Sequence, residues 1–122
     1  MPIAEYGLTA LDCPDPIALA HFYQSILGGE IESQTDDETW VSLRTETGVE
    51  IGFQQDRHHV RPSWPDGVPQ QAHLDFNVSD LDEGEAAVLD VGAVKAETQP
   101  RPDRWRVFID PAGHPFCLVK SG

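Results

Sequence analysis

The feature that most constrains the fold of this chain is an internal repeat. When the sequence is shifted by 65 positions, residues of like character superpose along much of its length. The matched pairs are Asp15 with Asp80, Trp40 with Trp105, Gly48 with Gly113, Leu11 with Phe76, Leu43 with Phe108 and Phe53 with Leu118. Two tryptophans and two glycines seldom coincide by chance. The sequence therefore predicts two copies of one structural unit.

The first copy shows the pattern of one strand, one helix and three further strands. Asp15 and Pro16 are typical of a helix start, apolar residues recur at helical spacing up to Leu27, and Gly28 and Gly29 end the helix. Alternation and β-forming residues predict strands over 7–13, 30–34, 39–44 and 49–54.

The second copy repeats this order. Ser79 or Asp80 caps a helix over 81–91, which carries acidic residues in its early turns and ends at Gly92. Strands are predicted over 73–78, 94–98, 105–109 and 116–120. The predicted fold class is therefore α+β, built from two βαβββ modules.

The length of 122 residues suits a single domain. We expect the first module at about 3–55, a linker at 56–70 and the second module at about 71–120. The linker is rich in proline and long for a passive connection, so it could act as a lid. Its His58 and His59 either belong to a solvated loop or help to gate a substrate.

Charge and cysteine content exclude several classes of partner. Eight Lys and Arg residues against 21 Asp and Glu residues give a formal charge of −13, which repels nucleic acids and anionic lipid surfaces. No basic or apolar segment typical of a secretory signal begins the sequence, so a cytoplasmic location is expected. In that reducing compartment, Cys13 and Cys117 are expected to be free thiols.

Strand alternation sorts the side chains into two sheet faces. In the segment 73–78, the even positions are apolar and can pack under the helices, which leaves His73, Asp75 and Asn77 on the opposite face. The same rule gives that opposite face Trp40, Arg44, Glu50, Gln54 and Cys117. The face is either solvated surface or the wall of a ligand cavity. The equivalent Trp40 and Trp105 favour a cavity, or a seam between modules or subunits, because large aromatic side chains are seldom left on open sheet surface.

Two stretches of sequence carry a family resemblance. One runs from Asp15-Pro16 through His21-Phe22-Tyr23 to Leu27-Gly28-Gly29, and the other is Asp110-Pro111-Ala112-Gly113-His114-Pro115-Phe116-Cys117-Leu118. Together with the two modules, they resemble the vicinal oxygen chelate superfamily, and most closely its glyoxalase-like, bleomycin-resistance-like branch. The resemblance implies mixed sheets that curl around a cavity, with the helices outside. It leaves activity open, because the superfamily contains metal-dependent isomerases, epimerases, dioxygenases and thiol transferases as well as metal-free antibiotic-binding proteins.

The resemblance also implies four metal-ligand positions, which hold Leu8, Gly52, His73 and Cys117 in this sequence. Leu8 and Gly52 supply no donor atom, so neither a metal nor another cofactor is expected. His73 and Cys117 would form a zinc site only if Glu50 or Asp75 joined them. Otherwise His73 is expected to be a hydrogen-bonding wall residue and Cys117 a buried apolar residue.

These observations lead to one main functional prediction and two alternatives. The main prediction is a homodimeric protein that binds a small molecule, aromatic or flat and apolar, in a sheet cavity without metal. The expected ligand contacts are Trp40, Arg44, Glu50, Gln54, Trp64, His73, Asp75, Trp105 and Cys117. The first alternative is a lyase, isomerase or dioxygenase that uses His73 as general base or metal ligand. The second, weaker alternative is a subunit whose polar sheet face contacts another protein.

Overall fold

The structure is a computed structural model that describes residues 2–3 and 5–121 of the chain. It divides into two compact units, Met1–His59 and Val60–Gly122, and each unit contains one helix and one four-stranded mixed sheet. The predicted α+β fold of two βαβββ modules is confirmed. We call the two units the first and the second module.

The first module consists of five elements. They are β1 (Thr9–Cys13), α1 (Pro16–Leu27), β2 (Glu30–Ser33), β3 (Trp40–Arg44) and β4 (Glu50–Gln55). The sheet order is β1-β4-β3-β2, with β1 parallel to β4 and the other pairs antiparallel. The helix begins as predicted, since the Asp15 carboxylate accepts the Ala18 amide and Pro16 occupies the first turn. Its Tyr23 ring stacks on Phe53 of the sheet at 5.8 Å between centroids, which fixes the helix on that face.

The second module repeats this arrangement. It consists of β5 (Leu74–Val78), α2 (Leu81–Asp90), β6 (Val94–Lys95), β7 (Trp105–Ile109) and β8 (Pro115–Lys120), in the sheet order β5-β8-β7-β6. Asp80 caps α2 by accepting the Glu83 amide. A Cβ atom at Gly84 would lie 3.1 Å from the Leu118 side chain, so α2 packs closely on the face that contains Leu118. The opposite face of this sheet is therefore turned away from α2.

Strand β6 is shorter than its predicted range of 94–98, and the Gln99 side chain explains why. The Gln99 amide group accepts a hydrogen bond from the Val107 amide at 2.9 Å and donates one to the Val107 carbonyl at 2.8 Å. The Val107 carbonyl also accepts the Ala96 backbone amide at 3.1 Å, so the side chain replaces only the backbone partner that the Val107 amide would have had in a longer strand. Strand β5 is also shorter by one residue, so that His73 lies just before it.

The segment 56–73 contains neither helix nor strand. Within the segment the Ser63 amide donates to the Val68 carbonyl at 2.8 Å, and the Arg61 guanidinium ties the segment to the carbonyl of the distant Pro111. Neither α1 nor α2, the helices in the part of the chain that the structure describes, is long and apolar enough to cross a membrane.

Candidate functional site

The predicted contact residues divide between the modules. Trp40, Arg44, Glu50 and Gln54 lie on β3 and β4 of the first module. Trp64, His73, Asp75, Trp105 and Cys117 belong to the second module.

Two residues of the first-module group line a polar groove. Arg44 and Glu50 are register partners on β3 and β4 and form an ion pair with 3.3 Å between Nη1 and Oε1. They border a groove of about 330 Å³ whose other described walls are Glu30, Ile31, Glu32, Gln34 and Ser42. These walls are rich in carboxylate groups, and they do not suit an apolar ligand.

Trp40 lies over Gly52 on the same sheet face. A Cβ atom at Gly52 would be 2.5 Å from Cη2 of Trp40 and 3.0 Å from Cδ1 of Leu8. Glycine at position 52 therefore makes room for the indole. The two first-module positions that the resemblance implies for metal ligands thus hold an apolar contact instead of donor atoms. A metal held in the superfamily's manner does not fit these residues.

The second module presents a partly buried apolar surface on the sheet face turned away from α2. Its buried centre is Ala96, Val107 and Cys117, and partly buried Trp64, Trp105, Ile109 and Val119 pack against it. We call these seven residues the apolar face. Val107 and Ile109 were not among the predicted contacts, although they share the strand parity of Trp105. The signal was present, since β7 is apolar at almost every position, as in a strand covered on both faces.

A polar cluster borders the apolar face at β5. Asp75 and Cys117 are register partners on the parallel strands β5 and β8, and Nε2 of His73 lies 3.5 Å from Oδ1 of Asp75. One possible ligand atom from each of these residues lies within 4.8 Å of the other two. We call His73, Asp75 and Cys117 the His-Asp-Cys cluster. The side chains of His73 and Asp75 are 48% and 56% exposed, whereas Cys117 is buried.

The environment of Cys117 disfavours its thiolate. Burial, followed by the negative charge of Asp75 and a hydrogen bond from the thiol to that carboxylate, raises the pKa of Cys117 to about 11. At neutral pH the residue is therefore a thiol and a poor nucleophile. The burial of Cys117 agrees with the expectation of a buried residue.

His58 and His59 lie in a turn directly after β4. The backbone amide of His58 donates to Oδ1 of Asp56 at 2.9 Å, and that of His59 donates to the Asp56 carbonyl at 3.1 Å. These bonds define the backbone of the turn. A role of the two histidines in gating a substrate stays a prediction.

Two βαβββ modules, each with a parallel outer strand pair, define the class of protein as the vicinal oxygen chelate superfamily. Within that class, the chain belongs to the glyoxalase-like domain family, whose family model matches residues 9–119. A search of curated proteins finds no significant match.

Solved structures with the same fold include two fosfomycin resistance proteins. FosX from Mesorhizobium loti has a TM-score of 0.70 at 16% identity and covers 99% of this chain and 94% of its own. FosX from Listeria monocytogenes has a TM-score of 0.72 at 18% identity, with coverages of 99% and 96%. The oxidase ChaP-H2 has a TM-score of 0.64 at 20% identity, with coverages of 99% and 96%. At these identities the likeness shows the fold alone.

Proposed function

We propose that this chain is a small-molecule binding protein whose ligand, aromatic or flat and apolar, lies on the apolar face. The observation that carries the proposal is the pair of half-buried indoles, Trp64 and Trp105, packed around Val107 and Cys117. Binding sites for small molecules are mostly apolar walls with a few polar groups at defined places. Stacking on an indole contributes about 0.5–1.5 kcal/mol beyond the burial of area.

The His-Asp-Cys cluster supplies the polar groups of this proposal. Asp75 accepts hydrogen bonds, and His73 either accepts or donates them. Together the two residues orient a ligand that carries a polar substituent at one edge. A metal held by the superfamily's four ligand positions has no part in this binding, since Leu8 and Gly52 offer no donor. Four residues of the first module remain predicted ligand contacts, namely Trp40, Arg44, Glu50 and Gln54.

The first prediction tests the apolar face by tryptophan fluorescence. In a titration with a panel of aromatic metabolites and antibiotics, at least one compound is expected to change the emission saturably. Trp105→Ala is expected to weaken that binding by roughly 2- to 13-fold, which corresponds to the loss of about 0.5–1.5 kcal/mol of stacking. Binding to the variant is measured by calorimetry, because the variant lacks one of the reporting indoles.

Leu89→Ala is the matched control. Leu89 is an apolar residue of α2 with 40% exposure, and α2 packs on the other face of the same sheet. Its truncation is expected to leave the affinity unchanged. Both variants must first show the circular dichroism of the parent protein. If folded Trp105→Ala and Trp64→Ala both bind as tightly as the parent, the apolar face is not the ligand site.

A catalytic role is the second candidate function. It is favoured by the contact between His73 and Asp75, because a carboxylate beside an imidazole can orient the ring toward a substrate. His73 would then be the general base. Chromatography of the same titration samples after prolonged incubation separates the two functions, since an enzyme converts the compound and a binding protein returns it unchanged.

The second prediction concerns assembly. We propose a homodimer, because the second sheet ends at the two-residue edge strand β6, where Val94 is 62% exposed close to Val91 in sequence. Sedimentation at micromolar concentration is expected to give about 27 kDa, twice the chain mass of 13.5 kDa. A species of 13.5 kDa at every concentration would reject the dimer.

Charge and thiol state support the rest of the proposal. The formal charge of −13 disfavours nucleic acids and anionic membranes as partners. Cys13 and Cys117 both remain thiols, which suits the reducing cytoplasm. We therefore propose a cytoplasmic protein whose partners are a small molecule and a second copy of itself.

A further inference from the structure

We propose that the His-Asp-Cys cluster is a binding site for a zinc-type divalent metal ion, formed entirely within the second module. Strand register places the cluster's residues side by side. Asp75 and Cys117 lie opposite each other on the paired strands β5 and β8, and His73 is two residues before Asp75 on the same side. The pairing of two strands therefore brings an imidazole, a carboxylate and a thiol together, with their possible ligand atoms within 4.8 Å of one another.

The donor set selects the kind of ion. A thiolate with an imidazole is typical of zinc, which also accepts a carboxylate as a further ligand. Magnesium, calcium and manganese prefer carboxylate, carbonyl and water oxygens, and only Asp75 among the three residues offers such an atom. On binding, the Cys117 thiol gives its proton to the solvent and its sulfur coordinates the metal. Three protein ligands leave a fourth position for water or for an atom of a small molecule.

The burial of the three residues also suits a metal site. Cys117 is 8% exposed and held by the strand pair, so its sulfur has a fixed position at the floor of the cluster. The side chains of His73 and Asp75 are about half exposed, which leaves their rotamers free to close to zinc-ligand distances of about 2.0–2.3 Å. The same exposure gives an ion a path of entry from solvent.

This site differs from the arrangement that the family resemblance implies. That arrangement uses positions in both modules, of which Leu8 and Gly52 carry no donor, and in this protein the Trp40 ring lies over Gly52. The proposed site replaces them with Asp75, which is not one of the four implied positions. It does not rest on the proposed small-molecule function, because a titration with metal alone tests it without any organic ligand.

The third prediction tests the site with Co(II), a spectroscopic substitute for zinc. Titration of the reduced, chelator-treated full chain is expected to produce a thiolate-to-cobalt charge-transfer band that saturates at one ion per chain and is lost when zinc is added. Cys117→Ser is expected to abolish the band. His73→Ala and Asp75→Asn are each expected to weaken binding at least tenfold, since even the loss of an outer-sphere partner typically costs about 10- to 100-fold in affinity.

Cys13→Ala is the matched control, because Cys13 is the other buried cysteine and lies on β1 of the first module. This variant is expected to keep the full band. Circular dichroism checks the folding of each variant. If Cys117→Ser does not fold, the exposed His73 and Asp75 variants decide the question. The proposal is overturned if the parent shows no thiolate band, if the band survives unchanged in both exposed variants, or if Cys13→Ala removes it.

Discussion

Replacement of Gly29 by alanine is expected to lower the free energy of unfolding by about 3 kcal/mol or more, and for a geometric reason. Gly29 has a φ of 101°, and a Cβ atom there would lie 1.9 Å from the carbonyl oxygen of Arg44. The obstacle is backbone, so no side-chain rotation relieves it. To admit the methyl group, the link between α1 and β2 must move away from the end of β3. Urea denaturation followed by circular dichroism measures the effect.

Gly48→Ala is the control for this prediction. Gly48 has a similar φ of 94°, but no described atom lies within 4 Å of the place where its Cβ would be. Its replacement is therefore expected to lower the free energy of unfolding by only about 1–2 kcal/mol, which is the cost of a side chain on a left-handed backbone. The difference between the two variants isolates the steric contact with Arg44. Equal losses of stability in both variants would show that the backbone around Gly29 moves away from the Arg44 carbonyl without cost, contrary to the 1.9 Å contact.

The repeat made most of the fold predictable. A helix start needs only local signals, and Asp15 and Asp80 both cap their helices by accepting an amide three residues later, as the sequence pattern indicates. The predicted helix over 81–91 was one residue too long, because Val91 is the C-cap residue of α2 and not its last helical residue. Strand existence follows from alternation, which the two copies support independently.

Strand ends were less predictable, because they depend on partners distant in sequence. The predicted strand 94–98 ends at Lys95, because the Gln99 side chain accepts the Val107 amide that a longer strand would have paired. A glutamine that bonds to a backbone eight residues away leaves no local pattern. Such a replacement of a backbone partner by a side chain can be seen only in three dimensions.

The site was predictable as a set of residue types but not as a geometry. Period-two alternation identified His73 and Asp75 as members of one face, and the 65-residue offset aligned Cys117 with Gly52. The sequence could not show that Trp40 lies on Gly52, because the orientation of an indole depends on the space that its neighbours leave. The sequence also could not show whether the carboxylate of Glu50 or that of Asp75 lies beside the Cys117 thiol. The choice within the second module follows from the register of β5 against β8.

Cys117 is expected to react with iodoacetamide at least tenfold more slowly at pH 8 in the folded protein than in the same protein unfolded in urea. A pKa of about 11 in the folded state lowers the thiolate fraction by about 100-fold relative to an ordinary thiol. A more basic thiolate is also more nucleophilic, but this offsets the loss of reaction rate by only about tenfold. Burial slows the reaction further. The experiment uses metal-free Cys13→Ala, in which Cys117 is the only thiol.

The pH dependence of this reaction tests the cause of the slow rate. For an ordinary thiol the rate levels off above a pH of about 8.5, whereas for folded Cys117 it is expected to keep rising through pH 10, since the reactive thiolate forms only as the pH approaches the raised pKa. Asp75→Asn removes the neighbouring charge, which is the second cause of the raised pKa after burial, and is therefore expected to shift the profile to lower pH and speed the reaction. Circular dichroism over the same pH range confirms that the chain stays folded. A plateau near pH 8.5 in the folded protein, or a profile that Asp75→Asn leaves in place, would show that Asp75 does not act on the Cys117 thiol, and the contact at the centre of the His-Asp-Cys cluster would then be wrong.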